Sequence, residues 1–186
     1  MFGVSYPLEL FGEIADKLTE WTRFRNLNDI KQSLNPGDLV EFHRGLYSHY
    51  ALNLGDGNVM NVCAEDKNVR SAKIKEMRIE EVCRGSQVRI RNHDDVAQQY
   101  FQVQPKSTFE IIRDAKSFEN QVLPYEFDFR NCEYYSTLWR YGKGFSTQVA
   151  TTAVGLVEGI LAGPGNTVLK TTAAERYTRY LELARK

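Results

Sequence analysis

The sequence predicts an α+β fold, an antiparallel β-sheet packed on helices. Three observations carry this. Residues 39–91 hold short apolar runs of alternating pattern joined by tight turns, an order that suits a meander rather than βαβ units. Ser107 with Glu110 opens a helical stripe in the manner of a capping box. Asn131 precedes a second stripe that Gly142 and Gly144 end.

The elements follow in order. Phe11, Ile14, Ala15, Leu18, Trp21 and Thr22 recur at helical spacing, and Leu27, Ile30 and Leu34 continue in a second short helix, so residues 8–34 read as helical. Asn35-Pro36-Gly37-Asp38 is a breaker cluster. Strands are predicted over Leu39–His43, His49–Leu54 and Val59–Cys63, the last two joined by a hairpin at Gly55-Asp56-Gly57-Asn58, residues that tolerate positive φ. Further strands are predicted over Lys75–Val82 and Gln87–Arg91. Between them and the Ser107 helix, His93-Asp94-Asp95 reads as a solvated polar loop. That helix runs through Ile111, Ile112, Ala115 and Phe118 to about Glu119. Tyr125, Phe127 and Phe129 alternate with acids as a short extended segment, and a helix covers Cys132–Tyr141. Beyond Ser146, Val149–Gly163 is small and apolar, and Thr172–Arg185 is an amphipathic helix with Tyr177, Tyr180, Leu181 and Ala184 on one face.

Composition narrows the function. The chain has 186 residues, 42% hydrophobic and 12% aromatic, enough to bury a core and too apolar to be disordered throughout. Lys and Arg number 24, as do Asp and Glu, so no net charge draws the chain to nucleic acid, and no nucleic-acid partner is expected. The 3 cysteines, Cys63, Cys83 and Cys132, include no CxxC pair, a poor disulfide framework and a poor zinc site. Free thiols suit a reducing compartment. Met1–Leu10 carries Glu9 and no basic stretch, unlike a secretory signal, and no run approaches the ~18 apolar residues of a membrane-spanning helix. The expected location is cytoplasmic, with membrane association open through the tail.

The chemistry centres on one cysteine. Cys132 sits at the start of a predicted helix, where free N–H groups and partial positive charge favour a thiolate and can hold an oxyanion. Cys63 and Cys83 lie in or beside strands and read as core. The 3 histidines are His43 at the end of the first strand, His49 at the start of the second, and His93.

These residues carry a resemblance. Asn35-Pro36-Gly37-Asp38 through His49-Tyr50-Ala51-Leu52-Asn53-Leu54-Gly55-Asp56-Gly57 resembles the first box of the LRAT-domain family of lecithin:retinol acyltransferase and the HRAS-like suppressor phospholipase/acyltransferases. Asn131-Cys132-Glu133-Tyr134-Tyr135 with Arg140-Tyr141-Gly142 resembles its second box, in the right order. The resemblance covers Asn35–Phe145 and implies a permuted NlpC/papain-like fold. It divides the chain into a helical extension at 1–34, an LRAT-like domain at 35–145 and a tail at 146–186.

What it implies for the site is specific. Cys132 matches the nucleophile and His49 the general base, while Arg44 and Tyr47 match residues at the active-site entrance. The family's second histidine is replaced by Asn61, whose amide oxygen can orient His49 as the Asn of Cys-His-Asn sites does. Tyr134 and Tyr50 also depart from the family's usual His and Trp. The implied reaction is acyl transfer from a phospholipid or other acyl ester through a thioester on Cys132, with no metal and no cofactor. Two alternatives stand beside it: a regulatory LRAT-domain protein, signalling or viral in type, without acyl transfer, and a cysteine peptidase or amidase. The tail is expected not to span a membrane: it lies on a membrane surface, or Val149–Gly163 packs back on the domain or against a second copy. Val149–Gly163 is 15 residues counted inclusively, with Glu158 inside, and from Lys143 onward Lys and Arg exceed Asp and Glu by 6 − 3 = 3.

Overall fold

A computed structural model describes residues 24–45, 47–64, 70–126 and 130–148. Thr22–Ser146 form one compact unit; a second, made of 1–21 and 147–186, lies almost wholly outside the described residues. The expectations for residues 8–22, for Phe127 and Phe129, and for the tail helix fall outside them as well.

Within the unit, six antiparallel strands form one sheet in the order β5-β1-β2-β3-β4-β6. They are β1 Leu39–His43, β2 Ser48–Gly55, β3 Asn58–Ala64, β4 Ser71–Arg78, β5 Val88–Ile90 and β6 Val122–Pro124. The helices are α1 Leu27–Ile30, continued by a 3-10 turn at Lys31–Ser33, then α2 Ile79–Cys83, α3 Asp94–Phe101, α4 Thr108–Ser117 and α5 Cys132–Tyr141. The architecture is α+β and consistent with an LRAT/NlpC-like fold. No helix among the described residues is long and apolar enough to cross a membrane.

Local chemistry explains the meander. Asp56 (φ 50°) and Gly57 (φ 75°) form the whole β2–β3 loop, the paired positive φ values that a two-residue hairpin of matching twist needs. A Cβ on Gly57 would stand 2.7 Å from the Arg78 guanidinium. Alternation along the strands then makes two apolar layers. On one face Leu39, Leu52, Met60, Val62 and Ile74 pack under Ile111 and Ala115 of α4 and Tyr135 and Trp139 of α5. On the other, Val40, Phe42, Ala51, Val59 and Val88 pack against Ile30 of α1 and Ile79, Val82 and Cys83 of α2.

Several expectations are corrected. The strand predicted over Lys75–Val82 ends at Arg78, because Ile79, Val82 and Cys83 are spaced for a helix and bury one stripe of it. Arg84 (φ 48°) and Gly85 (φ 75°) then stop α2. The second short helix expected at Leu27–Leu34 is α1 with its 3-10 turn, and the chain before it is extended at Arg25, which exchanges backbone hydrogen bonds with Val88 at 2.9 and 2.8 Å. The supposed loop after His93 is helix α3. Its cap is His93 in a left-handed conformation with no side-chain cap bond, so the usual start signal is absent. The extended segment assigned to Tyr125 begins earlier, as β6 on the edge of β4.

The two sequence boxes are also tied together. The Arg140 guanidinium donates to the Gly37 carbonyl at 2.7 Å and to Asp94 of α3 at 3.0 Å, and the Tyr141 hydroxyl donates to Asp94 at 2.6 Å. Asp38 accepts from the backbone N–H of Asn35 and from Asn92, both at 2.8 Å. The Pro-Gly-Asp turn and the Arg-Tyr-Gly helix end are thus one knot holding α5 to the start of β1.

Leu52 tests the layer beneath α5, since its side chain is fully buried. Leu52→Ala is expected to lower unfolding free energy by about 2–5 kcal/mol in urea titration. A loss below about 1 kcal/mol would contradict that packing.

Candidate active site

A fork in the sheet creates the site. β2 and β3 pair from the hairpin back to Ala51 opposite Asn61, and there the pairing stops. Beyond that point β3 stays with β4 as far as Ala64, while Ser48–Tyr50 stay with β1. The Tyr50 N–H is therefore left without a strand partner on the β3 side. It donates instead to Cys132 Sγ at 3.4 Å. The first turn of α5 plugs the fork.

Asn131 builds that turn. Its side-chain oxygen accepts the Tyr134 N–H at 3.0 Å, and Gly142 (φ 75°) closes the far end of the helix. Cys132 is 4% exposed. Burial pushes its thiol up to about 11, even though N–H groups of Tyr50, Glu133 and Cys132 itself favour the anion. The sulfur is thus a neutral thiol at neutral pH, ringed by donors suited to developing negative charge.

His49 lies on β2 immediately before Tyr50. Its Nε2 is 2.6 Å from Asn61 Oδ1. Asn61 is 7% exposed, and its amide nitrogen faces the sulfurs of Cys63 at 3.2 Å and Met77 at 3.3 Å. With its oxygen turned to the ring, Asn61 accepts a proton borne on Nε2 and leaves Nδ1 as the basic nitrogen. Burial, aided by the charges of Arg44 and Arg84 and opposed by the Asn61 bond, pushes His49 down to about 4. The histidine is neutral too. His49 and Cys132 make no hydrogen bond to each other; they are joined through Tyr50, the residue that follows one and bonds the other.

The remaining sequence candidates are placed differently. Arg44 gives its guanidinium to the carbonyls of Val82 and Cys83 (2.9 Å to the latter) and to the Ser86 hydroxyl, so it binds the end of α2. From there its charge still helps keep His49 neutral. Tyr47 is 49% exposed and lies close enough to Tyr125 to perturb it. His43 is exposed at the end of β1, its ring 5.0 Å from that of Phe24. No group of three or more His, Cys, Asp or Glu able to hold a metal ion occurs among the described residues.

Sequence reasoning missed two neighbours. Tyr125, just beyond β6, lies close enough to Cys132 to feel it: burial first, and then that thiol, push its phenol up. The alternation through Tyr125 was visible, but not its reach to residue 132. His93 is not solvated: it is 2% exposed, with Nε2 3.1 Å from Glu133 Oε1. Nothing local signals a partner forty residues away.

Known proteins resemble the chain over the same residues. A family model described as lecithin retinol acyltransferase matches residues 32–145. Phospholipase A and acyltransferase 1 of Homo sapiens is 36% identical over 141 residues, spanning 70% of this chain and 80% of that protein. The Rattus norvegicus protein of the same name is 34% identical over 140 residues, 69% of this chain and 80% of its own. Phospholipase A and acyltransferase 4 of Homo sapiens is 35% identical over 130 residues, 63% of this chain and 76% of its own. The chain belongs to the lecithin retinol acyltransferase family.

The two displaced pKa values set a pH window for stability. His49 binds its proton near pH 6.5 when unfolded and only near 4 when folded, so the unfolded state gains protons first as pH falls between these values, and stability is lost there. Cys132 ionises near 9 unfolded and near 11 folded, so stability is lost as pH rises between those values. Melting temperature measured against pH should show His49→Gln with a shallower fall between pH 6.5 and 4 than the wild type. An unchanged acid limb in that variant would contradict a neutral, buried His49.

Proposed function

We propose that the protein is a thiol-dependent phospholipase/acyltransferase acting on phospholipid esters, with Cys132 as nucleophile, His49 as base and Asn61 as the group that orients it. The observation that carries this is the 2.6 Å contact between His49 Nε2 and Asn61 Oδ1, on the strand whose next N–H meets the Cys132 sulfur. The names of the relatives supply the substrate class.

The chemistry follows from a neutral pair. With the thiol near 11 and the imidazole near 4, a thiolate–imidazolium pair is not the resting state. Proton transfer therefore accompanies attack, as general-base catalysis. His49 Nδ1 takes the thiol proton while Sγ bonds to the ester carbonyl carbon. The oxyanion forms among the N–H donors at the α5 start. Its collapse breaks the ester C–O bond. The imidazolium protonates the leaving alkoxide, which departs as lysophospholipid and leaves an acyl-thioester on Cys132. Water, or an amine or hydroxyl acceptor, then gives His49 its proton and attacks the thioester, which frees the thiol.

Asn61 can fill the place of a second histidine because the role described needs an acceptor and no proton transfer. An amide oxygen supplies that and keeps the same tautomer at every pH.

Turnover of phosphatidylcholine vesicles, followed as release of lysophospholipid and fatty acid, tests the reading. Cys132→Ser is expected to abolish it and His49→Ala to lower it by ~10²–10⁴, while His43→Ala leaves it near the wild-type rate. Equal losses for His43→Ala and His49→Ala, both folded, would remove the base assignment. No turnover by the wild type on any phospholipid would leave the regulatory reading in its place.

A further inference from the structure

The third histidine and the acid of the Asn131-Cys132-Glu133 box are unused by the reaction, yet they are among the most deeply buried polar groups of the unit. The side chains of His93 and Glu133 are both 0% exposed, and Nε2 of one lies 3.1 Å from Oε1 of the other. The second carboxylate oxygen accepts the Ser146 hydroxyl at 2.7 Å. Ser146 Oγ in turn accepts from Asn131 Nδ2 at 3.1 Å, and the other atom of that amide, Oδ1, caps α5. A chain of contacts thus runs from His93 through Glu133 and Ser146 to Asn131. It bounds the first turn of α5 on both sides of Cys132.

His93 is held hard in place. Its backbone is left-handed, with φ 61°, a conformation uncommon outside glycine that histidine adopts more readily than most residues. Its ring packs 5.6 Å from that of Tyr50 and 6.2 Å from that of Phe145. Tyr50 is the residue whose N–H meets the nucleophilic sulfur. His93 therefore touches the surroundings of Cys132 twice, once through Glu133 and once through Tyr50.

We propose that His93 and Glu133 are a positioning pair for the nucleophile. The His93 ring sets Nε2 3.1 Å from the Glu133 carboxylate, a close contact not aligned as a hydrogen bond; there it wedges the first turn of α5 in the fork and moderates the negative charge that Glu133 places beside the thiol. An isolated buried carboxylate next to Cys132 would oppose formation of negative charge on sulfur and then on the oxyanion. A carboxylate that accepts a serine hydroxyl and has an imidazole nitrogen 3.1 Å away opposes it less, while anchoring the helix start. The inference rests on the reading of Cys132 as nucleophile. The titratable side chains around that sulfur are Glu133 on α5, Tyr125 beyond β6 and Tyr50 on β2, with His49 on the same strand. Of these, Glu133 is the carboxylate, and its charge pushes the thiol up.

Alkylation of Cys132 by iodoacetamide, read by peptide mass spectrometry so that Cys63 and Cys83 are counted separately, tests the pair without any lipid. Failure of the phospholipid reading therefore leaves this test intact. At a pH below the thiol's midpoint the rate follows the thiolate fraction, so one unit of pKa is tenfold in rate. Glu133→Gln keeps the shape and removes the charge; it is expected to speed alkylation about tenfold. His93→Asn tolerates the left-handed backbone but falls short of the carboxylate, and it is expected to slow alkylation about tenfold. In the double variant the effect of His93→Asn should vanish, because the charge it moderates is gone. An equal slowing by His93→Asn in both backgrounds, or wild-type rates in both single variants, would overturn the proposal. If the variants do not fold, nitrogen-15 spectra of histidine-labelled wild type decide it. A slowly exchanging Nε2–H on His93 is expected, and an unprotonated Nε2 at neutral pH would overturn it.

Discussion

The site depends on a sheet that stops pairing at one place. Backbone N–H groups inside a fold must find acceptors, and the parting of β2 from β3 after Ala51 and Asn61 leaves the Tyr50 N–H facing a gap. The gap is filled by the start of a helix, an element with N–H groups of its own to satisfy. Asn131 deals with one of these. A cysteine sulfur, a weak acceptor when neutral and a good one when charged, receives the donor that the fork exposes. The N–H donors around the sulfur favour negative charge on it, while burial outweighs them and keeps the resting thiol neutral.

The cost lies in burial. Removing Cys132 and His49 from water holds both neutral, with the thiol pushed up to about 11 and the imidazole down to about 4. A site of this kind does not store a reactive ion pair. In the proposed reaction an ester carbonyl accepts the electron pair while the proton moves to His49. Arg44 belongs to the same logic. It is committed to the carbonyls at the end of α2, yet its charge stands close enough to help keep His49 unprotonated.

What the sequence revealed and what it hid divide along the range of the interactions. The Asn131 cap, the Gly142 stop, the Ser107–Glu110 box and the Asp56-Gly57 hairpin are chemistry between near neighbours, and each was readable residue by residue. The contact of His49 with Asn61 was readable from the resemblance, in which Asn61 stands where the family has a second histidine; the hairpin itself sets Asn61 opposite Ala51, diagonal to His49. Helix α3 was missed because its cap is a histidine without a side-chain bond. The end of β4 was missed because Ile79 and Val82 suit a strand until their spacing is weighed. The burial of His93 and the reach of Tyr125 to Cys132 depend on how α3, α5 and β6 stack on the sheet, which no local pattern states.

The central claim is that the sulfur plugging the fork becomes covalently acylated. Incubation of the full-length protein with phosphatidylcholine vesicles, quenched in acid and measured by intact and peptide mass spectrometry, tests this most directly. The account predicts a single fatty-acyl adduct that maps to Cys132, is released by hydroxylamine and is absent from His49→Ala on the same time scale. An adduct on Cys63 or Cys83 instead, or lysophospholipid release with no acylation of Cys132 even on rapid quenching, would contradict it.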